Sequence, residues 1–290
     1  MLSLMEVTVA VSDETVAEFY ADVSGLGEEI IKSEKDVKGL DEKELAYRIA
    51  MVFFFGRSYK SYQALYKLWS SGFEEDAYVV LRGIYESFLQ ARYVAREPHK
   101  RAMQLTEYDF VERYKFYRMF KGIPGYEGQV ESIEKDPQFA QLSSEHDAWF
   151  PRYKLIPKQV RNWWGGDIRG LAKDLGKDIE NFEGMHVQVY WKLSSLTHAG
   201  VTSVRHYIED AGDERRWYFG PRKAEDAEAV RLGSLFLLGL IDLAVKAFGL
   251  PMTDRLGSVV GRWSWWTSSK SEPPRKEADV DFHKVGTPQA

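Results

Sequence analysis

Two short runs hold most of the side chains whose types and spacing could do chemistry. In Leu81-Arg82-Gly83-Ile84-Tyr85-Glu86, Arg82 and Glu86 stand four residues apart. On a helix they share one face and can pair. In Tyr190-Trp191-Lys192-Leu193-Ser194-Ser195-Leu196-Thr197-His198-Ala199-Gly200, the same step repeats from Tyr190 to Ser194 to His198. Gly200 is a natural helix terminator, so His198 falls in a last turn, where the negative end of the helix dipole is expected to favour protonated imidazole. Both runs are otherwise apolar, so these polar groups are expected to meet inside a bundle and satisfy one another. Reactive, the set would use His198 as general acid or base and Arg82 to hold phosphate. Unreactive, it would close a helix and shape a contact surface.

Other chemistries lack their parts. The chain has no cysteine, which excludes disulfides, thiolate metal sites and cysteine nucleophiles. A di-iron bundle needs two Glu-x-x-His motifs, and only Glu183-Gly184-Met185-His186 is present. That pair reads as a half-exposed helix surface, and neither metal nor cofactor is expected. No phosphate-binding glycine loop and no Gly-x-Ser-x-Gly elbow occurs. Arg113 to Lys121 interleaves bases with aromatics, a mixture that grips single-stranded nucleic acid. The preferred reading is a half-buried helix whose bases reach outward past a packed aromatic face. Tyr59, Tyr62, Tyr190 and Trp191, with Ser194, form a third candidate set, a pocket for a small ligand.

The elements that must position these residues follow from composition and period. The 290 residues are 44% hydrophobic and 29% charged, as in globular proteins. A net charge of −5 excludes a bulk positive field, so any nucleic-acid contact has to come from a local patch. Apolar periodicity predicts helices over 13–38, 42–70, 74–96, 98–121, 178–198, 222–249 and 251–261. Glycines and prolines interrupt 122–177, which is expected to be an irregular insertion or lid with short helices only. Alternation around Asp210-Ala211-Gly212-Asp213 predicts a small β-hairpin within 203–220. The apolar run from Val230 to Leu250 carries Arg231, Asp242 and Lys246, so it reads as a buried central helix and not a membrane span. No basic residue precedes Lys32, so no secretory signal is read and a cytoplasmic location is expected. The fold class is all-α: a multi-helix bundle in one domain over 1–267, with a disordered tail over 268–290.

The pattern Arg-x-x-aromatic-Glu on one helix (Arg82, Tyr85, Glu86) and Tyr-x-x-Leu-Ser-x-x-x-His on a later one (Tyr190, Leu193, Ser194, His198) resembles an uncharacterised, mostly helical bacterial family. The likeness spans about residues 45–245 and implies a bundle with a shared polar cluster. That family is distantly similar to HEPN-type helical domains, some of which are RNases and others inert partners of a second protein. HEPN nucleases carry Arg and His separated by four to six residues. Only Arg92 and His99 fit, and they straddle the helix breaker Pro98. The expected function is therefore a helical binding or regulatory module, which the resemblance places in a stress or phage-defence setting. Its expected partner is a protein or a second copy of the chain, with RNA as the alternative and no membrane. The rival is a metal-independent RNase using His198 with Arg82.

Overall fold

The computed structural model of the protein describes residues 12–33, 37–177, 182–198, 204, 207–211, 214–217, 220–222 and 226–267. Among them are ten α-helices and one short pair of strands, so the architecture is all-α. Helix α1 covers Asp13–Lys32, and the Ser12 hydroxyl accepts from the Thr15 N–H at 3.2 Å to cap it. Helices α2 (Glu42–Ser70) and α3 (Glu74–Arg96) meet at a turn built around Gly72, whose φ of +84° suits glycine. A Cβ there would also stand 2.7 Å from the carbonyl oxygen of Arg222. Pro98 opens α4 (Pro98–Phe120), a position where its missing N–H costs nothing. The remaining helices are α5 (Glu127–Glu134), α6 (Pro137–Arg152), α7 (Ile168–Leu175), α8 (Phe182–Thr197), α9 (Glu228–Phe248) and α10 (Thr253–Thr267). Between α8 and α9, β1 (Ile208–Ala211) pairs antiparallel with β2 (Glu214–Trp217), Ile208 opposite Trp217. The tail over 268–290 lies outside the described residues, as does much of 199–206.

Packing divides the chain into two compact units, one of Met1–Lys38, Met51–Arg92 and Ala172–Ala290, the other of Gly39–Ala50 and Tyr93–Leu171. The first is organised on α9, which is apolar on nearly every side and buried along its length. Asp242, the charge that interrupts its sequence, lies against Lys246 one turn later, with 2.9 Å between Nζ and Oδ2. No helix among the described residues is long and apolar enough to cross a membrane. Helix α1 packs on α9 and α10. Helix α3 approaches α9 closely at Gly239, where a Cβ would meet the Phe88 ring at 2.5 Å. The Tyr62 hydroxyl hydrogen-bonds the Ser234 hydroxyl at 2.7 Å, which satisfies both groups at full burial.

The second unit packs α4 against α6. Trp149 is sealed there, its indole N–H donating to the carbonyl oxygen of Gln104, whose amide donates to the carbonyl oxygen of Trp163. Helix α6 corrects the expectation of short helices only in 122–177. Its two prolines sit where a helix tolerates them. Pro137 takes the first turn behind Asp136, whose carboxylate accepts from the Gln138 N–H, and Pro151 falls next to the end. In the basic–aromatic run of α4, Tyr117 is buried and Tyr114 stacks on Phe139. Lys115 turns back to the Tyr108 hydroxyl, while Phe116 and Met119 stand exposed. The aromatic face is therefore only partly packed.

Candidate functional site

Helices α3 and α8 bring the two polar runs together within the first unit. Arg82 reaches from α3 with three separate bonds. Its Nε donates to Glu86 Oε1 at 2.8 Å, its Nη2 donates to the Tyr190 hydroxyl at 3.0 Å, and its Nη1 lies 2.9 Å from His198 Nε2. The guanidinium also stands 5.1 Å from the centre of the Tyr190 ring. Arg82 leaves only 17% of its side chain exposed and Glu86 leaves 32%, whereas His198 faces solvent. The cluster therefore forms the inner wall of an open surface, not a sealed core network.

The bond to His198 selects one tautomer of the neutral ring. A guanidinium has only donors, so Nε2 must accept and its proton must be absent. The neutral tautomer with hydrogen on Nδ1 satisfies this. An imidazole with hydrogen on both nitrogens would offer Arg82 no acceptor. The Nδ1–H is left pointing away from Arg82, and His198 has no second lone pair. As the site stands, the imidazole can donate a hydrogen bond but cannot take a proton without leaving Arg82.

Behind this surface lies a buried layer that sequence reasoning misplaced. His186 is buried, not half-exposed, because its Nδ1 hydrogen-bonds the Tyr85 hydroxyl at 2.8 Å. Its ring stacks on Tyr85 on one side and on Tyr190, 5.1 Å between centroids, on the other. Tyr85 also packs on Phe236 of α9. Burial, and then the neighbouring Tyr190, push the Tyr85 hydroxyl far above the usual phenol range, so it stays protonated. The layer holds Tyr190 in place, and Tyr190 holds Arg82. Phe182, His186, Tyr190, Ser194 and His198 recur every four residues, so extending the Tyr190–Ser194–His198 stripe backwards would have found His186.

A second polar group ties α8 to α9. The Lys192 ammonium contacts Glu228 and donates to the Tyr78 hydroxyl at 2.8 Å, and Tyr78 donates to Glu228 Oε2 at 2.7 Å. Burial alone would raise the Glu228 carboxyl, but the Lys192 charge and the bonds from Lys192 and Tyr78 outweigh it and hold the group below the usual range. Burial, and then the Glu228 charge, push Tyr78 well up. Nothing local in the sequence marks this trio.

The expected small-ligand set does not assemble. Tyr59 and Tyr62 are core residues of α2, bonded to the Ser24 carbonyl and to Ser234, whereas Trp191 stands 62% exposed on α8. A side chain sealed in the core and one facing solvent cannot line one cavity. A cavity of about 520 Å³ does open after α2, lined by Asp13, Tyr66, Trp69, Gly72, Pro221 and Arg222 among others, none of them in that set. No cluster of metal-ligating side chains occurs among the described residues. His99 bonds Glu44 at 3.2 Å, and Arg92 lies over the Phe88 ring.

A family described as a family of unknown function (DUF5677) matches residues 48–215, which takes in α3, α8 and the whole Arg82–His198 cluster. No curated protein and no solved structure matches the chain.

Proposed function

The chain belongs to the DUF5677 family, and from that premise we propose that it is a cytoplasmic helical binding or regulatory module that works through the α3–α8 surface. Its partner on this reading is a protein or a second copy of the chain. The stress or phage-defence setting is part of the proposal and rests on the distant HEPN likeness. One observation carries the reading. The only lone pair of His198 is engaged by Arg82, and three of the five Arg82 donors end on protein groups. A general base with no free lone pair, beside an arginine already occupied, is arranged to hold a surface in shape.

A second reading is favoured by a specific observation, the solvent exposure of His198 beside Arg82. It is the metal-independent, HEPN-like endoribonuclease, with Arg82 released from His198 to hold phosphate and His198 moving the proton. One experiment separates the two. Purified protein and His198→Ala are incubated with mixed RNA in excess chelator, and their thermal melts are compared. On the binding reading neither cleaves RNA, and His198→Ala lowers the melting temperature. Chelator-resistant cleavage by the parent, lost in an equally stable variant, would overturn it.

A further inference from the structure

Among the described residues, one face of helix α8 is left open. At 100° per residue, Glu183, Val187, Trp191, Ser194 and His198 fall within about 80° of arc. Glu183 and His198 are exposed, Val187 is 50% exposed and Trp191 62%. The core side of the same helix is Phe182, His186, Val189 and Leu193, all buried. Val187 and Trp191 stand one turn apart and both face solvent, and apolar strips with charged ends mark contact sites.

The order of groups along this strip says what fits it. An acid stands at one end, apolar side chains fill the middle, and the imidazole with Arg82 behind it stands at the other end. Among the described residues Glu183 has no ion-pair partner. Glu183 and His198 are separated by about 22 Å along the axis at 1.5 Å per residue. An acid–apolar–base strip is complementary to itself run backwards. We propose that this strip is a homodimer interface, in which α8 packs antiparallel on α8 of a second copy about a two-fold axis close to Trp191. The axis brings Glu183 of each copy to the His198 of the other, as a self-complementary interface requires.

The chemistry at each end is specific. His198 accepts from Arg82 through Nε2, so its Nδ1–H is the donor left for a carboxylate. Glu183 of the second copy supplies that carboxylate, and the nearby Arg82 charge strengthens the contact. The acid on Arg82's own helix, Glu86, is already turned to Arg82 Nε, and Lys192 is turned to Glu228. The second copy thus completes the Arg82–His198 site with a residue that the first copy keeps on the far end of α8. In the centre, Val187 and Trp191 of both copies cover each other. A contact made chiefly by one helix pair is small for a stable dimer, so association is weak and depends on concentration.

This inference deepens the binding reading and rests on it, but the two fail in different assays, RNA cleavage for one and association for the other. Sedimentation equilibrium of the full chain over a wide concentration range is the test, with Glu183→Lys, His198→Glu and Trp191→Ala. The parent is expected to dimerise reversibly. Each single variant is expected to weaken the dimer by about tenfold or more, since each puts like charges together or empties the apolar centre. Mixing the Glu183→Lys chain with the His198→Glu chain sets opposite charges together at one end and keeps the parent's Glu183–His198 contact at the other, so the mixture is expected to regain heterodimers that neither forms alone. Circular dichroism melts check that every variant is folded. A parent that stays monomeric at all concentrations would overturn the proposal. So would a dimer indifferent to both charge reversals, or a mixture of folded chains that does not recover.

Discussion

Arg82 is held on three edges, and the consequences differ by edge. Glu86 accepts from Nε and is itself partly in water, so Glu86→Ala leaves a donor that solvent can reach. The expected cost is about 1–2 kcal/mol, less than for a sealed ion pair. Arg82→Ala strips partners from Tyr190 and His198 at once and is expected to cost more, about 2–3 kcal/mol. Urea unfolding of the two variants checks the order, and equal losses would argue against an unequal division among the three edges. Arg82, Glu86, Tyr190 and His198 were legible because four-residue spacing on two apolar helices places them on facing stripes. The Glu183-x-x-His186 spacing does not reveal the burial of His186, which follows from its place on the same four-residue stripe. Glu183 belongs to the solvent side of α8 and His186 to the core side.

Between elements, the Lys192–Glu228–Tyr78 group joins α8, α9 and α3, and it carries a pH signature. Glu228 is held below its ordinary value of 4.5 in the fold. The stability it contributes is therefore fully present above about 4.5 and is lost as pH falls through the lower, folded value. Glu228→Gln is expected to cost about 1–3 kcal/mol at neutral pH and to flatten the acid limb of the stability profile. Urea midpoints of parent and variant between neutral pH and the acid limb measure this, and parallel profiles would remove Glu228 from the explanation. No sequence pattern announces this trio, because its members lie on three helices and each is unremarkable in its own window. Helix α6 shows the opposite failure. By residue type alone Pro137 and Pro151 predict breaks, whereas a proline is harmless in a first turn and tolerable beside the last. Long helices such as α2, α3 and α4 were legible to within a residue or two, since sustained apolar period and clear terminators leave little choice.

Across the first unit, the apolar helix α9 gathers α1, α3 and α10 around itself, and α8 is held to it by Lys192 and by the Tyr85–His186 layer. What this unit presents is the α3–α8 surface, where Arg82 and His198 are held together at the solvent edge. The family match covers this region and supplies no reaction, so the binding reading rests on the tautomer of His198. It can be measured directly. Long-range ¹⁵N–¹H spectra of the imidazoles distinguish a protonated from an unprotonated ring nitrogen, with His198 assigned by its loss in His198→Gln. With Arg82 donating to it, Nε2 is expected to carry a lone pair and Nδ1 the hydrogen, and Arg82→Ala should release that preference. A His198 that carries its hydrogen on Nε2, or is doubly protonated at neutral pH, would contradict it, because Arg82 would then have nothing to donate to.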